Sequence, residues 1–299
     1  MQGIDLRDVL EFKIEKKESE ILHIKNQFSH IIKKMGQSPE EIAGHPHRTW
    51  LGFNRAFGGT RGELITVTAD TGVGKSTFVR NWLKDHVEQG RPSLLISLED
   101  SMNSVTECFC QMISGKDIIN FGEQDAKAVG EQFKLWPLYY LDHQGPIKET
   151  VLMNTIDYAF TELGIKFFVV DHLDYIEKDW VGRNESYVIG DTMRKLAGKA
   201  HSLNVTIILI VHPAKMSVKG NEIREVGLDE LKGSSSIKQE SDAVFGIFRP
   251  DPQVAVAWLR FLKIRSHRFS RSVQGKIQFG FDPESLTWWE VDGKLEWGK

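Results

Sequence analysis

Short apolar runs alternate along the chain with longer segments of helical periodicity. The runs are rich in β-branched and aromatic residues over four to eight positions, as expected of strands buried on both faces. They are Leu64–Ala69, Ser93–Leu98, Leu138–Leu141, Lys166–Val170, Val205–His212, Ala243–Phe248 and Trp258–Ile264. Helices are predicted for Ser76–Gly90, Lys148–Gly164 and Val188–Asn204. Because strands and helices alternate, the pattern predicts an α/β fold with an open, mostly parallel, twisted sheet and helices on both faces.

Two further patterns lie nearer the ends of the chain. Residues 276–291 alternate between apolar and polar, which predicts an antiparallel hairpin that turns at Asp282-Pro283. Apolar residues among balanced charges predict one or two amphipathic helices in residues 5–35, and the Gly, Pro and Ser of residues 36–47 predict a connector. We therefore expect an N-terminal helical segment over residues 1–49 and one domain over residues 50–299.

Composition is that of an ordinary globular protein, with one local exception. Hydrophobic residues make up 40% of the 299 positions, and the formal net charge of -3 gives no global sign of nucleic-acid binding. Residues 249–276, however, hold seven basic residues and one acid, a local net charge of +6. Cys108 and Cys110 would point to different faces of a helix, which suggests neither a metal pair nor a disulfide. No apolar run approaches the ~20 residues that cross a bilayer, so a cytosolic protein without a membrane partner is predicted.

The segment Ala69–Thr77, "ADTGVGKST", has the context of a phosphate-binding loop, since it follows a predicted strand and opens a predicted helix. Two glycines let backbone N–H groups converge on phosphates, the lysine would reach the β- and γ-phosphates of a nucleotide, and the Ser76 hydroxyl would bind Mg²⁺. Ala69 stands where the usual pattern has its first glycine, a position that needs mainly a small residue. The residues predicted to contact the nucleotide are Thr71, Gly72, Val73, Gly74, Lys75, Ser76 and Thr77.

Polar residues close three of the other predicted strands. Asp171 ends a buried strand, where the ligands of open α/β sheets lie, and is a candidate to orient Mg²⁺ through water. Glu99 closes the strand after the first helix and could polarise an attacking water as a general base, with neighbouring Asp100 as a competing candidate. His212 closes the most apolar strand and could contact the γ-phosphate, although a structural histidine explains the pattern equally well.

Taken in order, these motifs resemble those of the RecA-like ring helicases of the DnaB/Twinkle family, and are closer to its Twinkle and phage-type branch. The resemblance covers residues 50–291 and rests on "ADTGVGKST", "ISLED", "FFVVDHLDYI", "IILIVHPAK", "LKGSSSIKQESDAVFGIFR" and "HRFSRSVQG" followed by "FDP". It implies a RecA-like P-loop NTPase core that uses ATP and Mg²⁺, assembles as a hexameric ring, translocates on single-stranded DNA and unwinds duplex at a replication fork.

The resemblance also implies roles for single residues. It assigns Lys75, Ser76 and Thr77 to the nucleotide and Mg²⁺, Glu99 to the catalytic base, Asp171 to the metal and His212 to a γ-phosphate sensor. Arg268 matches the arginine finger that family members insert into the neighbouring subunit's site. The family often has a lysine two residues before the finger, and this chain has Ser266 there, so Arg265 and Arg271 remain open as alternatives.

The segment "LKGSSSIKQESD" resembles the mobile loop that lines the central channel of such a ring and contacts the DNA backbone, although a plain linker would have a similar composition. The residues expected to bind DNA are Lys232, Gly233, Ser234, Ser235 and Lys238. A second channel loop at residues 174–187 is a weaker expectation, through Lys178, Arg183 and Asn184. The basic residues of 249–276 could contact DNA, but the same resemblance places them at the interface with a neighbouring subunit. The N-terminal helices either close the ring or cap the domain.

Family members usually carry a primase-like or helical N-terminal domain, and residues 1–49 are too few for a primase. The resemblance therefore predicts a stand-alone motor domain, with a separate primase or loader as a possible partner. Two other functions use the same ATPase core: a recombinase-like or mediator ATPase that forms filaments on DNA without processive unwinding, and a KaiC-like regulatory ATPase that binds no DNA. The phosphate loop cannot distinguish them.

Overall fold

The structure, a computed structural model, describes residues 2–12, 44–177, 185–213, 227–231, 234–251, 254–265 and 275–297. A ten-stranded sheet runs through the molecule in the order β1-β4-β3-β6-β8-β2-β9-β10-β11-β12. Its strands are β1 (Gln2–Ile4), β2 (Leu64–Ala69), β3 (Ser93–Ser97), β4 (Leu138–Leu141), β6 (Phe167–Asp171), β8 (Thr206–Val211), β9 (Ala243–Phe248), β10 (Val256–Ile264), β11 (Gly275–Asp282) and β12 (Thr287–Trp297). Strands β5 (Ile147–Lys148) and β7 (Ile176–Glu177) pair separately.

In this sheet order, every pair of neighbouring strands between β1 and β9 is parallel, and every pair between β9 and β12 is antiparallel. The helices are α1 (Leu6–Glu11), α2 (Leu51–Phe57), α3 (Lys75–Glu88), α4 (Met102–Ser114), α5 (Glu123–Leu135), α6 (Glu149–Leu163), α7 (Glu185–Leu203) and α8 (Ser234–Glu240). No helix in these described ranges is both long enough and apolar enough to cross a membrane.

Both faces of the sheet are covered, because successive residues of each central strand enter different cores. In β6, for example, Phe167 and Val169 join the core beneath α2, α3 and α4, whereas Phe168 and Val170 join the core beneath α6 and α7. Such strands have no solvent face and are apolar at most positions. This double burial explains why apolar runs identified the central strands so closely.

The predicted strands and the predicted mostly parallel sheet are confirmed, with boundaries within two residues. The C-terminal hairpin is also confirmed: β11 ends at Asp282, which pairs with Thr287 at the start of β12. Because the carboxyl ends of parallel strands share one edge, this arrangement brings the residues that follow β2, β3, β6 and β8 together.

The first residues of the chain add a strand that the sequence analysis did not predict. Gln2 and Ile4 pair in parallel with β4, and α1 packs on α6, where the Phe12 and Tyr158 rings meet edge to face with centroids 5.5 Å apart. This part of the predicted N-terminal segment therefore packs on the main domain. Residues 13–43 lie outside the described residues, and the division at residue 49 stays a prediction.

The predicted channel loop differs from the structure over its second half. Residues Ser234–Glu240 form helix α8, whereas a mobile loop was expected from the glycine and the serines. Basic residues at the end of β10 stabilise the end of this short helix, as described below, and the serine-rich composition does not reveal such a distant contact. Helices α2, α4 and α5 were also missed.

Candidate nucleotide-binding and catalytic site

The phosphate loop lies between β2 and α3 and has the backbone geometry that its glycines allow. Gly72 and Gly74 have φ values of 80° and 98°, in the left-handed region that favours glycine. Gly74 is also the N-cap of α3 and supplies no capping side chain, so the first N–H groups of the helix face the loop. Such an arrangement is an anion-binding site. Lys75, the first helical residue, is only 8% exposed, and its burial lowers the pKa of its amine.

The loop rests on the C-terminal hairpin. The Trp288 indole lies beneath it, and a Cβ placed on Gly74 would be 3.0 Å from the ring. Asn81 connects α3, the helix that follows the loop, to the same hairpin. Its side-chain amide donates to the Leu286 carbonyl at 2.8 Å, and its side-chain oxygen accepts from the Trp288 N–H at 3.1 Å. The hairpin, far from the loop in sequence, therefore stabilises the loop's position.

Asp171 lies at the end of β6, beside the loop. It is 2% exposed, the nearby Ser76 hydroxyl favours its charged form, and one of its carboxylate oxygens, Oδ1, has no hydrogen-bond partner among the described residues. Burial raises the pKa of the Asp171 carboxyl, an effect that Arg80, Ser76 and Lys75 oppose. A buried carboxylate next to a serine hydroxyl, with an unused oxygen, fits the ligand set that Mg²⁺ requires.

Of the two competing acids after β3, Glu99 and Asp100, Arg80 contacts only one. Its guanidinium donates to Asp100 and lies 3.8 Å from Asp171, so Asp100 pairs with the same arginine that lies beside the buried Asp171 carboxylate. Glu99 is not engaged by Arg80, and its side chain is 52% exposed at the mouth of the site. The geometry therefore favours Glu99 over Asp100 as the residue that contacts an attacking water.

His172, which directly follows Asp171, was missed by the sequence analysis. It is buried, its Nδ1 accepts from the Asp174 N–H at 3.3 Å, and its Nε2 lies 3.3 Å from the Glu99 carboxylate. Because Nδ1 accepts, the neutral ring carries its proton on Nε2, the nitrogen that lies beside the Glu99 carboxylate. Its place at the end of a buried strand was the only signal for it in the sequence.

His212, at the end of β8, packs against this histidine. The His172 and His212 rings meet edge to face with centroids 4.3 Å apart. Burial, followed by the positive charge of Lys75, lowers the pKa of His212, so its ring is neutral at neutral pH. The structure thus brings Lys75, Glu99, Asp171 and His212 together at one edge of the sheet, as their positions after neighbouring strands predicted.

The part of the predicted DNA segment that the structure describes is bound to β10. Lys263 donates to the backbone carbonyls of Lys238 and Ser241 at the end of α8, and Arg265 donates to that of Gln239. Burial lowers the pKa of Lys263 to about 8. Lys238 itself pairs with the exposed Asp229. Ser235 is exposed on the first turn of α8.

Several predicted residues lie outside the described residues. They are Arg268 and its alternative Arg271, the channel residues Lys232 and Gly233, the side chain of Ser234, and residues 178–184 of the second predicted loop with Lys178, Arg183 and Asn184. The roles proposed for them stay predictions.

Comparison with solved structures supports a RecA-like fold. One solved ATPase domain superposes with a TM-score of 0.76 at 14% identity, over 91% of this chain and 100% of that one. A DnaB-like replicative helicase, solved in a study of its interactions with primase, superposes with a TM-score of 0.77 at 15% identity, over 90% of this chain and 69% of that one.

Comparison with curated sequences points the same way. The DNA helicase/primase of Enterobacteria phage T3 is 26% identical over 289 residues, which cover 88% of this chain and 50% of that protein. The replicative DNA helicase DnaB of Pasteurella multocida is 24% identical over 200 residues, which cover 63% of this chain and 43% of that protein. The chain thus spans about half the length of these relatives. A family model for the DnaB-like helicase C-terminal domain matches residues 50–284, and the chain therefore belongs to that family.

Proposed function

We propose that this protein is the ATPase motor of a DNA helicase, which hydrolyses ATP to move along single-stranded DNA and separate duplex in replication. The observation that carries the proposal is the meeting of Lys75, Glu99, Asp171 and His212 at the carboxyl edge of the sheet, in a chain of the DnaB-like family. Fold alone would not suffice, because the same fold serves many activities.

Each residue at this edge has a task that its surroundings support. Lys75 and the N–H groups of the loop bind the phosphates, while Glu99, oriented by His172, accepts the proton of the attacking water. His212 offers a neutral ring to hydrogen-bond the γ-phosphate. Ser76 would hold Mg²⁺ directly and Asp171 would hold it through water. When bound, Mg²⁺ neutralises charge that develops on the phosphates.

An arginine finger from a neighbouring subunit completes the proposed site. Arg268 is the candidate by its position in the motif, and Arg265 is the alternative. Arg265 has the expected lysine two residues before it, Lys263, but it donates to the Gln239 carbonyl of its own chain, so Arg268 stays the first candidate. Either assignment requires a homo-oligomer, and a hexameric ring is the form that the family relationship supports.

The contacts of β10 suggest how hydrolysis could reach DNA. Lys263 and Arg265 bind the end of α8, which belongs to the proposed DNA segment, and β10 leads directly into residues 266–274, which contain Arg268. A shift of the finger segment would therefore be transmitted to α8. Lys238 can bind a DNA phosphate, since its pair with the exposed Asp229 is of the weak surface kind.

A fork-unwinding assay with purified protein and substrates carrying a 5′ or a 3′ single-stranded tail tests the proposal. We expect ATP-dependent unwinding of one of the two, and ATPase turnover that rises with single-stranded DNA. Glu99→Gln should abolish both activities but retain nucleotide binding, while Glu107→Gln, an exposed substitution on α4, should change neither. Turnover that ignores DNA would favour the regulatory ATPase, and helical filaments without unwinding would favour the recombinase.

Mixing variant with wild-type subunits tests the finger. If Arg265 or Arg268 acts in the neighbouring site, its alanine variant should suppress the activity of mixed rings more than in proportion to its share. Loss in simple proportion for both variants would contradict a finger in either position. A primase or loader partner and a cytosolic location remain further proposals, which pull-down with the cognate replication proteins and cell fractionation would test.

A further inference from the structure

The Glu99, His172 and His212 side chains lie close enough together to ligate a single ion. Each offers one ligand atom, and the three atoms lie within 4.8 Å of one another. We propose that these residues form a second cation site, distinct from the Mg²⁺ site at Ser76 and Asp171, that binds a divalent transition metal such as Zn²⁺.

The spacing of the ligand atoms suits a tetrahedral ion. Bonds of roughly 2.0–2.1 Å place two ligand atoms of a tetrahedral Zn²⁺ about 3.3 Å apart. His172 Nε2 and Glu99 Oε2 already lie 3.3 Å apart. The His212 ring is edge-on to His172, with the ring centroids 4.3 Å apart. The three ligand atoms lie within 4.8 Å of one another, and the half-exposed side chain of Glu99 can adjust its oxygen relative to the two histidines.

The ligand chemistry distinguishes this site from a magnesium site. Two imidazole nitrogens and one carboxylate suit Zn²⁺, Co²⁺ or Ni²⁺, whereas Mg²⁺ prefers oxygen ligands. Three protein ligands also leave a fourth position for water or a phosphate oxygen. The half-exposed Glu99 keeps the site open to solvent on one side, so an ion can enter.

Neighbouring groups support the histidine ligands and attract a cation. His172 Nδ1 lies 3.7 Å from the Asp174 carboxylate. When Nε2 binds a metal, the ring proton moves to Nδ1, which then gives up the hydrogen bond from the Asp174 N–H and donates to the Asp174 carboxylate instead, an arrangement common around metal-bound histidines. Around Lys75, the carboxylates of Asp70, Glu99, Asp171 and Asp174 give the region an excess of negative charge.

Metal binding would have a functional consequence. A metal on the Glu99 carboxylate withdraws electron density from it and lowers its basicity toward the proton of the attacking water, so ATP hydrolysis should stop. The binding site stands on the geometry alone, while the inhibition rests on the proposed function of Glu99 as the general base.

Titration of the purified full chain with Co²⁺, free of nucleotide, tests binding without reference to activity. We expect the intense visible absorption of tetrahedral Co²⁺ at one ion per chain, and displacement of this absorption by Zn²⁺. His172→Asn and Glu99→Gln should each weaken Co²⁺ binding by at least roughly tenfold. His143→Asn, which changes a half-buried histidine bonded to the Pro146 carbonyl, should bind as wild type does. Glu99→Gln alters an exposed side chain, so it remains informative if His172→Asn fails to fold.

Absence of tetrahedral bands, or bands of equal strength in wild type and Glu99→Gln, would overturn the site. ATPase turnover in excess Mg²⁺ then tests the consequence, and micromolar Zn²⁺ should abolish wild-type turnover reversibly. If Co²⁺ and Zn²⁺ bind as expected but turnover continues, the metal site stands and the assignment of Glu99 as the base fails. The two ideas can therefore fail separately.

Discussion

Arg80→Met tests the interaction between Arg80 and the buried Asp171 carboxylate, the proposed metal ligand, in the folded protein. Arg80 is buried, as is Asp171, and its guanidinium lies 3.8 Å from the Asp171 carboxylate. Methionine keeps most of the apolar stem and removes the charge. Because Asp171 is buried, its charge would then lack the nearest compensating group.

The magnitude follows from the distance. Two unit charges about 4 Å apart attract by roughly 4 kcal/mol at an effective dielectric constant of 20. Removal of one partner of a buried pair usually destabilises by about 3–5 kcal/mol, because the remaining charge is uncompensated. Part of this loss is relieved when Asp171 takes up a proton, as its raised pKa allows. We expect Arg80→Met to lower the free energy of unfolding by about 3 kcal/mol.

A double-mutant cycle with Asp171→Asn isolates the interaction between Arg80 and Asp171. The pair between Arg80 and Asp100 is present in both backgrounds and therefore cancels. Urea denaturation at neutral pH, without nucleotide or Mg²⁺, should show that Arg80→Met costs about 2 kcal/mol less when Asp171 is already Asn. Arg7→Met, which breaks the exposed pair with Asp5, should leave stability unchanged within error. Additive losses from the two changes would refute the reasoning, because Arg80 would then not stabilise the Asp171 charge.

Three further substitutions test other parts of the structure. Burial raises the pKa of Glu63 to about 8 from 4.5, so its stabilising contribution is full below pH 4.5 and is lost as the pH rises through 8. The free energy of unfolding of Glu63→Gln should therefore rise relative to that of the wild type by up to about 1.4 kcal/mol per pH unit in that window. If the urea midpoints of the two proteins keep a constant difference across the window, the shift is contradicted. Trp288→Ala should lower stability by roughly 4 kcal/mol and weaken nucleotide binding, whereas Trp289→Ala, at an exposed position, should change nucleotide binding little. Glu290 accepts from two N–H groups in the first turn of α2 at 2.8 Å, so Glu290→Ala should lower stability by about 1–2 kcal/mol; an unchanged thermal midpoint would show that the cap is dispensable.

Elements whose burial is uniform were predictable from the chain alone. The central strands β2, β3, β4, β6, β8 and β9 are mostly apolar because helices cover both faces, and the phosphate loop is encoded within nine consecutive residues. Short elements at the periphery were not. Strand β1 has only three residues and becomes a strand by pairing with β4, and α8 is a helix whose end is capped by Lys263 and Arg265 from β10. Neither contact has a local signature.

The candidate site divides in the same way. The sequence by itself showed that Lys75, Glu99, Asp171 and His212 lie at or shortly after the ends of predicted strands. Periodicity locates these strand ends, and parallel topology brings them to one edge of the sheet. The preference for Glu99 over Asp100 comes only from the tertiary structure, because it depends on Arg80, one helix away, engaging the second acid, and the role of Glu99 stays a prediction. The tertiary structure alone placed His172 against both Glu99 and His212. Side-chain pairing across strands depends on three-dimensional distance, which spacing along the chain does not record.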